Sequence, residues 1–269
     1  MEEARRLVAS GHVEIVLTGI FMGAYGQPTA LRRRQPFDTA KPLGELVEAL
    51  STRVPGLKRL RLSSLEPGDL TDNLISILRA HPQVVPHFHL PLQSGSDEML
   101  RRMNRQYTRD DFRRMIDRVN ESFDRPAITT DIIVGFPGES DTEFAQTLEI
   151  VEHAKFIHIH AFPFSPRPKT AAARWTKDFI RGPVVNNRIN ELTACAQEHS
   201  YNFRKRFIGE TVEVLVERPR SLSSTRHGRC ERYFEVQFED ADAQAGDAVK
   251  AYVEQVTSDR TVGRRSSCA

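Results

Sequence analysis

The chain has 269 residues, 39% of them hydrophobic and 28% charged, with 38 basic against 36 acidic side chains. That balance excludes a disordered or fibrous chain and leaves room for one large α/β domain with a small appendage. No apolar run approaches a membrane span and the first residues have no signal-peptide layout, so the expectation is a cytoplasmic protein without a membrane partner.

Residues 1–10 (MEEARRLVAS) read as a helix with Ala4, Leu7 and Val8 apolar. Strand signals follow at 13–20, 57–64, 84–92, 127–135 and 156–164, with helical patterns between them. Leu43, Leu46, Val47 and Leu50 form one helical stripe. Phe112, Met115, Ile116 and Val119 form another, behind Thr108 and Asp111 in capping-box positions. Ser140 and Glu143 make a second such box ahead of Phe144, Leu148 and Val151. Strand, helix, strand with short connections implies right-handed parallel crossovers, hence an α/β barrel or a doubly wound sheet.

Alternation within the strands separates these two. Leu60 and Leu62 oppose Arg59, Arg61 and Ser63, and Phe88, Leu90 and Leu92 oppose His87, His89 and Gln93. Ile132 and Val134 oppose Thr129, Asp131 and Ile133, and Ile157 and Ile159 oppose His158 and His160. Parallel strands covered by helices on both faces read as continuous apolar runs. A polar face repeated on four strands therefore predicts an open barrel whose lumen holds a ligand; the bland alternative is a solvent-exposed sheet face.

Pro183 stands at a helix start, and Val185, Ile189, Leu192, Ala196 and Phe203 form a long stripe after it. From Gly209 the period changes to two, with strands at 211–217, 233–238 and 249–253, as in a small all-β barrel. The expected organisation is thus a barrel over 1–182, a connecting helix over 183–208 and a β-barrel over 209–269. The intervening 218–232 reads as a loop carrying Arg218, Arg220, Arg226, Arg229 and Arg232, a cluster suited to phosphate contacts, or else simply a solvated loop.

Parallel barrels bind ligands where their strands finish. The residues there are Thr18-Gly19, then Ser63-Ser64-Leu65-Glu66-Pro67, then Gln93-Ser94-Gly95-Ser96, then Gly135-Phe136-Pro137-Gly138-Glu139. Thr18-Gly19 has a plain reading as a tight turn, Ser63–Pro67 as an N-cap and turn, and Glu139 as a favourable charge on a helix dipole, whereas Gln93–Ser96 is the stronger signal. His87, His89, His158, His160 and Asp131 would project inward as a nitrogen and carboxylate set, which keeps a barrel metal hydrolase as a remote alternative.

Three long segments, 87–108 (HFHLPLQSGSDEMLRRMNRQYT), 128–139 (ITTDIIVGFPGE) and 162–170 (FPFSPRPKT), closely resemble the radical-SAM methylthiotransferases that modify tRNA. Thr18-Gly19-Ile20, Gly23-x-Tyr25-Gly26 and the Ser63–Pro67 motif look most like the subgroup acting on threonylcarbamoyladenosine beside the anticodon. Phe21 and Lys169 depart from the usual residues at their positions. The resemblance implies an α/β fold: a partial radical-SAM (βα) barrel lacking its first strand, plus a small C-terminal all-β TRAM-like barrel that contacts tRNA. It implies S-adenosylmethionine and [4Fe–4S] clusters as cofactors. By it, Thr18, Gly19, Ser63, Glu66, Gln93, Ser94, Asp131 and Gly135 are carried over as cofactor-binding residues, and Arg218, Arg220, Arg226, Arg229 and Arg232 as RNA-binding ones. In such enzymes one cluster cleaves S-adenosylmethionine to a radical that takes a hydrogen from an adenine carbon, and a second cluster supplies sulfur.

The cluster motif Cys-x-x-x-Cys-x-x-Cys is absent from these 269 residues, whose cysteines are Cys195, Cys230 and Cys268. Clusters require thiolate ligands. The expectation is therefore an N-terminally truncated family member, inactive as this chain alone. The alternative is a non-catalytic tRNA-binding fragment, or a half-enzyme that needs a separately encoded N-terminal half carrying the cysteines.

Overall fold

The computed structural model describes all residues except 20, 27–40, 219–223 and 267–269. Five parallel strands, β1 (Glu14–Leu17), β2 (Arg59–Leu62), β3 (Val84–His89), β4 (Ala127–Val134) and β5 (His158–Pro163), form one sheet in the order β1-β2-β3-β4-β5. The order runs without the reversal that defines a doubly wound sheet, so the winding is that of a barrel wall. All five expected strands are present, each trimmed at its ends. The chain gathers into two compact units: Met1–Phe88 with Asn120–Ala127 and Tyr201–Ala269, and His89–Val119 with Ile128–Ser200.

In the first unit, α1 (Glu2–Ala9), α2 (Lys41–Arg53) and α3 (Asp72–Ala80) accompany β1 and β2. The expected stripe of α2 is buried through Leu43, Val47 and Leu50. Gly44 lies on the same face because a Cβ there would fall 2.6 Å from Ile77 Cδ1, so α3 packs directly on the α2 backbone. Thr71 caps α3 by accepting from the Leu74 amide. The β2–β3 pairing slips between Leu60 and Leu62, with Leu60 opposite Val84 and Leu62 opposite Phe88. Pro86, which has no N–H to give a ladder, sits in that irregularity.

The same unit holds a closed five-stranded barrel of β6 (Thr211–Val216), β7 (Thr225–Cys230), β8 (Glu235–Glu239), β9 (Ala248–Val256) and β10 (Thr261–Arg265), in the order β10-β8-β7-β6-β9. Val212, Val214, Val216, Cys230, Val236, Phe238, Ala251 and Val253 fill it. Three of the strands match expectation. The stretch 218–232, read as a loop, instead contains β7. Its sequence, TRHGRC, carries no apolar alternation, and its inward positions include Gly228, where a Cβ would meet the Leu215 carbonyl oxygen.

This barrel also corrects the expectation of an open lumen along β2. All four β2 residues are buried. Leu60 and Leu62 account for one face; on the other, Arg59 donates to Glu213 and to the Arg229 carbonyl, and Arg61 donates to Glu14 and to the Glu231 carbonyl. The buried His87 ring lies 4.7 Å from that of Tyr233. A polar sheet face can be matched by a polar protein surface as readily as by a ligand, and alternation alone does not distinguish the two.

In the second unit, α4 (Asp97–Arg102), α5 (Arg109–Ser122), α6 (Asp141–Ala154) and α7 (Gly182–Lys205) surround β4 and β5, the ends of α5 and α7 running on into the first unit. Both expected capping boxes form. Thr108 N–H donates to Asp111 at 2.8 Å and Asp111 N–H to the Thr108 hydroxyl at 3.2 Å. Ser140 and Glu143 exchange the same pair of bonds at the start of α6. Phe112, Met115, Ile116 and Val119 are buried as the stripe predicts. Among the described residues, no helix is long and apolar enough to cross a membrane.

Candidate active site at the strand ends

In the first unit, Ser63 N–H donates to the Leu17 carbonyl at 3.1 Å, which sets the end of β2 beside Thr18 and Gly19. Both of these are exposed. A Cβ on Gly19 would meet nothing closer than Met22 Cγ at 3.9 Å, so packing does not require glycine there, and the open backbone suits close approach by a ligand. Ser63 and Ser64 hydroxyls lie 3.4 Å apart, and Ser64 adopts φ +59°. Glu66 N–H donates to Asp69 at 2.8 Å. The same Asp69 carboxylate packs on Gly23, where any Cβ would clash with it. Two motifs distant in the sequence thereby interlock at Asp69.

In the second unit, Gln93 is 8% exposed with φ +62° and pairs with β4: its N–H donates to the Asp131 carbonyl, and Ile133 N–H donates to its own. A left-handed non-glycine residue at a strand end stores strain of about 1–3 kcal/mol, and such strain concentrates at functional sites. Ser94 is fully buried, its hydroxyl accepting from Ser96 N–H and facing Thr147, whose own hydroxyl accepts from Gly95 N–H. Gly95 is demanded by α6, since a Cβ would fall 2.5 Å from Thr147 Cα. The Gln-Ser-Gly-Ser spacing thus serves loop anchoring as well as leaving Gln93 at the strand end.

Asp131 Oδ2 lies 3.3 Å from His89 Nε2, and His89 Nδ1 lies 3.0 Å from the Thr129 hydroxyl. Asp131 is in register with His160, which meets His158 edge-on and stacks on Phe162 along β5. Among the described residues no group of three His, Cys, Asp or Glu side chains could hold a metal ion. His87 faces Tyr233 rather than His89's partners. The ligand set imagined for a metal hydrolase does not assemble, and that alternative is withdrawn.

Gly135 has φ +73° and donates its N–H to Glu139 Oε2 at 2.8 Å. The Gly135 amide is taken by the chain's own carboxylate. Glu139 is 3% exposed and ion-paired with Arg188 at 2.8 Å. Burial pushes the Glu139 carboxyl above its ordinary 4.5, against the Gly135 amide and Arg188. A raised carboxyl value means the folded state holds that proton more tightly than the unfolded chain, so the contribution is most favourable below 4.5 and declines as pH rises through the folded value. The melting temperature of wild type is therefore expected to fall relative to Glu139→Gln as pH is raised from 4.5; parallel pH profiles would contradict this.

Of the candidate RNA-binding arginines, Arg220 lies outside the described residues and Arg218 is exposed. Arg226 donates to the carbonyls of Ala243 and Ala241, both at 2.9 Å. Arg229 pairs with Glu217 at 3.2 Å and lies over Tyr233. Arg232 pairs with Asp124 and Glu231, donates to the Arg125 carbonyl and covers Phe207. The structure gives these three internal work within the first unit. Lys169 has φ +71°, in the left-handed region that favours glycine.

The described thiols do not suit a cluster. Cys230 is buried inside the β-barrel, and burial drives its thiol far above the ordinary range. The Cys195 thiol on α7 is likewise raised, by burial and then by Glu191 and Glu198. Cluster ligands must be thiolates, so neither is prepared for iron.

Residues 1–151 match the family model described as the Radical SAM superfamily. Coproporphyrinogen III oxidase of Escherichia coli, a radical SAM enzyme, shares the fold at a TM-score of 0.54 and 14% identity, over 93% of this chain and 58% of that one. The class is therefore radical SAM. The threonylcarbamoyladenosine tRNA methylthiotransferase MtaB of Thermotoga maritima is 40% identical over 216 residues, 80% of this chain and 47% of the relative. That of Bacillus subtilis is 34% identical over 94% of this chain and 54% of the relative. A tRNA-2-methylthio-N(6)-dimethylallyladenosine synthase from Thermobifida fusca is 38% identical over 80% and 42%. Within the radical SAM superfamily, the chain belongs to the tRNA methylthiotransferase family; it spans about half the length of the curated relatives it matches.

Proposed function

We propose that this chain supplies the S-adenosylmethionine-binding wall and a tRNA-binding barrel of an enzyme that methylthiolates threonylcarbamoyladenosine in tRNA. The observation carrying this reading is the agreement between the superfamily match over 1–151 and a parallel sheet whose strands end in the family's motifs. The choice of nucleoside rests on the Thr18-Gly19, Gly23 and Ser63–Pro67 motifs; Asp69 ties Gly23 to Glu66, and the Ser63 amide bonds to Leu17 beside Thr18. In this reading 1–182 is the cofactor region, 183–208 the connecting helix and 209–269 the RNA-binding region. Thr18, Gly19, Ser63, Glu66, Gln93, Ser94, Asp131 and Gly135 bear on the cofactor. Arg218 is the arginine best disposed toward RNA, by its exposure. Cluster thiolates come from outside these 269 residues, and no chemical step is assigned to the cysteines present.

The test is co-expression with the part of the Bacillus subtilis relative that this chain does not match, in cells whose tRNA lacks the methylthio group. Nucleoside mass spectrometry of digested tRNA is expected to show methylthiolated threonylcarbamoyladenosine only when both pieces are present. Modification of isopentenyladenosine instead would move the chain to the other subgroup. Unmodified tRNA, with both pieces soluble and associated, would defeat the reading.

A further inference from the structure

The loop Gly135–Glu139, which ends β4, is held from two directions beyond its own strand. From α7, Val185 closes on Gly135 so tightly that a Cβ there would fall 2.5 Å from its Cγ2. One turn on, Arg188 Nη1 donates to Glu139 Oε2 at 2.8 Å and to the Glu139 carbonyl at 3.2 Å, while Nη2 reaches Asp141 at 2.7 Å. From the segment after β5, the Asp178 carbonyl accepts Gly138 N–H at 2.8 Å, and Phe136 meets Trp175 edge-on. Arg102 ties this second side together, lying over Trp175 and pairing with Asp178.

The Arg188–Glu139 pair is nearly dry, with side chains 6% and 2% exposed. Buried ion pairs contribute little net stability over apolar packing, and their best-attested use is to select one geometry. The geometry selected here is explicit. Glu139 Oε2 takes both the Arg188 guanidinium and the Gly135 amide, so the arginine fixes the carboxylate and the carboxylate fixes the left-handed turn.

We infer that Arg188 is a positioning residue: acting through Glu139, it holds the Gly135 turn in the shape that receives the S-adenosyl ligand. The inference rests on the reading of the strand ends as the cofactor wall. It makes the cofactor loop answer to α7, a helix outside the residues matched by the superfamily model.

The experiment measures S-adenosylhomocysteine binding by calorimetry, and amide hydrogen exchange at Gly135 and across β4, in wild type, Arg188→Met and Arg188→Lys. Arg188→Met is expected to weaken binding at least tenfold and to speed exchange at Gly135 at least tenfold, with the β4 amides still protected. Arg188→Lys is expected to recover most of both, because an ammonium still reaches Glu139. Unchanged exchange at Gly135 in Arg188→Met overturns the inference. So does loss of protection spread evenly over β4, which marks a general loss of stability. Failure of wild type to bind the ligand defeats the cofactor-wall reading instead, while the exchange data still decide whether Arg188 holds the turn.

Discussion

Replacing Arg61 with methionine is expected to destabilise the first unit by about 3 kcal/mol, the lower end of what removing one partner of a buried pair costs. Arg61 is 3% exposed, and its Nε and Nη2 meet the two oxygens of Glu14 at 2.9 and 3.1 Å. Nη1 donates to the Glu231 carbonyl and the guanidinium lies 4.8 Å over Tyr233, so one side chain joins β1, β2 and the turn after β7. Methionine fills much of the volume but leaves the Glu14 carboxylate, 12% exposed, with only Arg59 at 3.6 Å. That remaining contact is why the lower end is expected. The double change Arg61→Met with Glu14→Met removes the stranded charge and is expected to recover at least half the loss, since replacing both partners of a buried pair is often near neutral. Urea unfolding of the four proteins in the cycle measures this. A single-variant loss below about 1 kcal/mol would show that the pair is screened like a surface one.

The contrast between Arg61 and Arg188 shows what the sequence made legible. Five parallel strands and two capping boxes were readable because short-range patterns, alternation and cap spacing, dictate them. Alternation sets Arg59 and Arg61 on the polar side of β2, but what faces them includes residues 154 and 170 positions later, Glu213 and Glu231. Strand β7 carries no alternation signal because its buried positions include glycine and a polar residue, His227, near Glu217 of the neighbouring segment. Arg188 was missed for a different reason: a signal was present and was read wrongly. The buried positions of α7 run Val185, Arg188, Leu192, Ala196, His199 and Phe203 in steps of three and four, with Arg204 buried beside the last. Ile189, half-buried, was preferred because it is apolar. A charged residue that keeps the helical period is a candidate for a buried pair, and hydrophobicity alone discards it. The motifs mark loops that end strands, while the arrangement within them, Ser94 turned inward and Gly135 bound to Glu139, depends on α6 and α7 packing.

Anaerobic reconstitution of the purified 269-residue chain with iron and sulfide is expected to yield no [4Fe–4S] absorbance and no reductive cleavage of S-adenosylmethionine to 5′-deoxyadenosine. The reasoning is about thiolates, not about occupancy. A cubane needs several cysteine sulfurs presented together and deprotonated. Cys230 points into a closed β-barrel among Val214 and Val236, where burial holds it as a thiol, and iron would have to open that barrel to reach it. Cys195 sits on α7 between Glu191 and Glu198, whose negative charge further disfavours the thiolate. Nitrogen and carboxylate groups do not compensate, since no three of them gather among the described residues. Adding the part of the Bacillus subtilis relative that this chain does not match, before reconstitution, is expected to bring both signals. A cluster and deoxyadenosine from the chain alone would mean that Cys195, Cys230 or Cys268 ligates iron after rearrangement, and substituting each with serine would identify it.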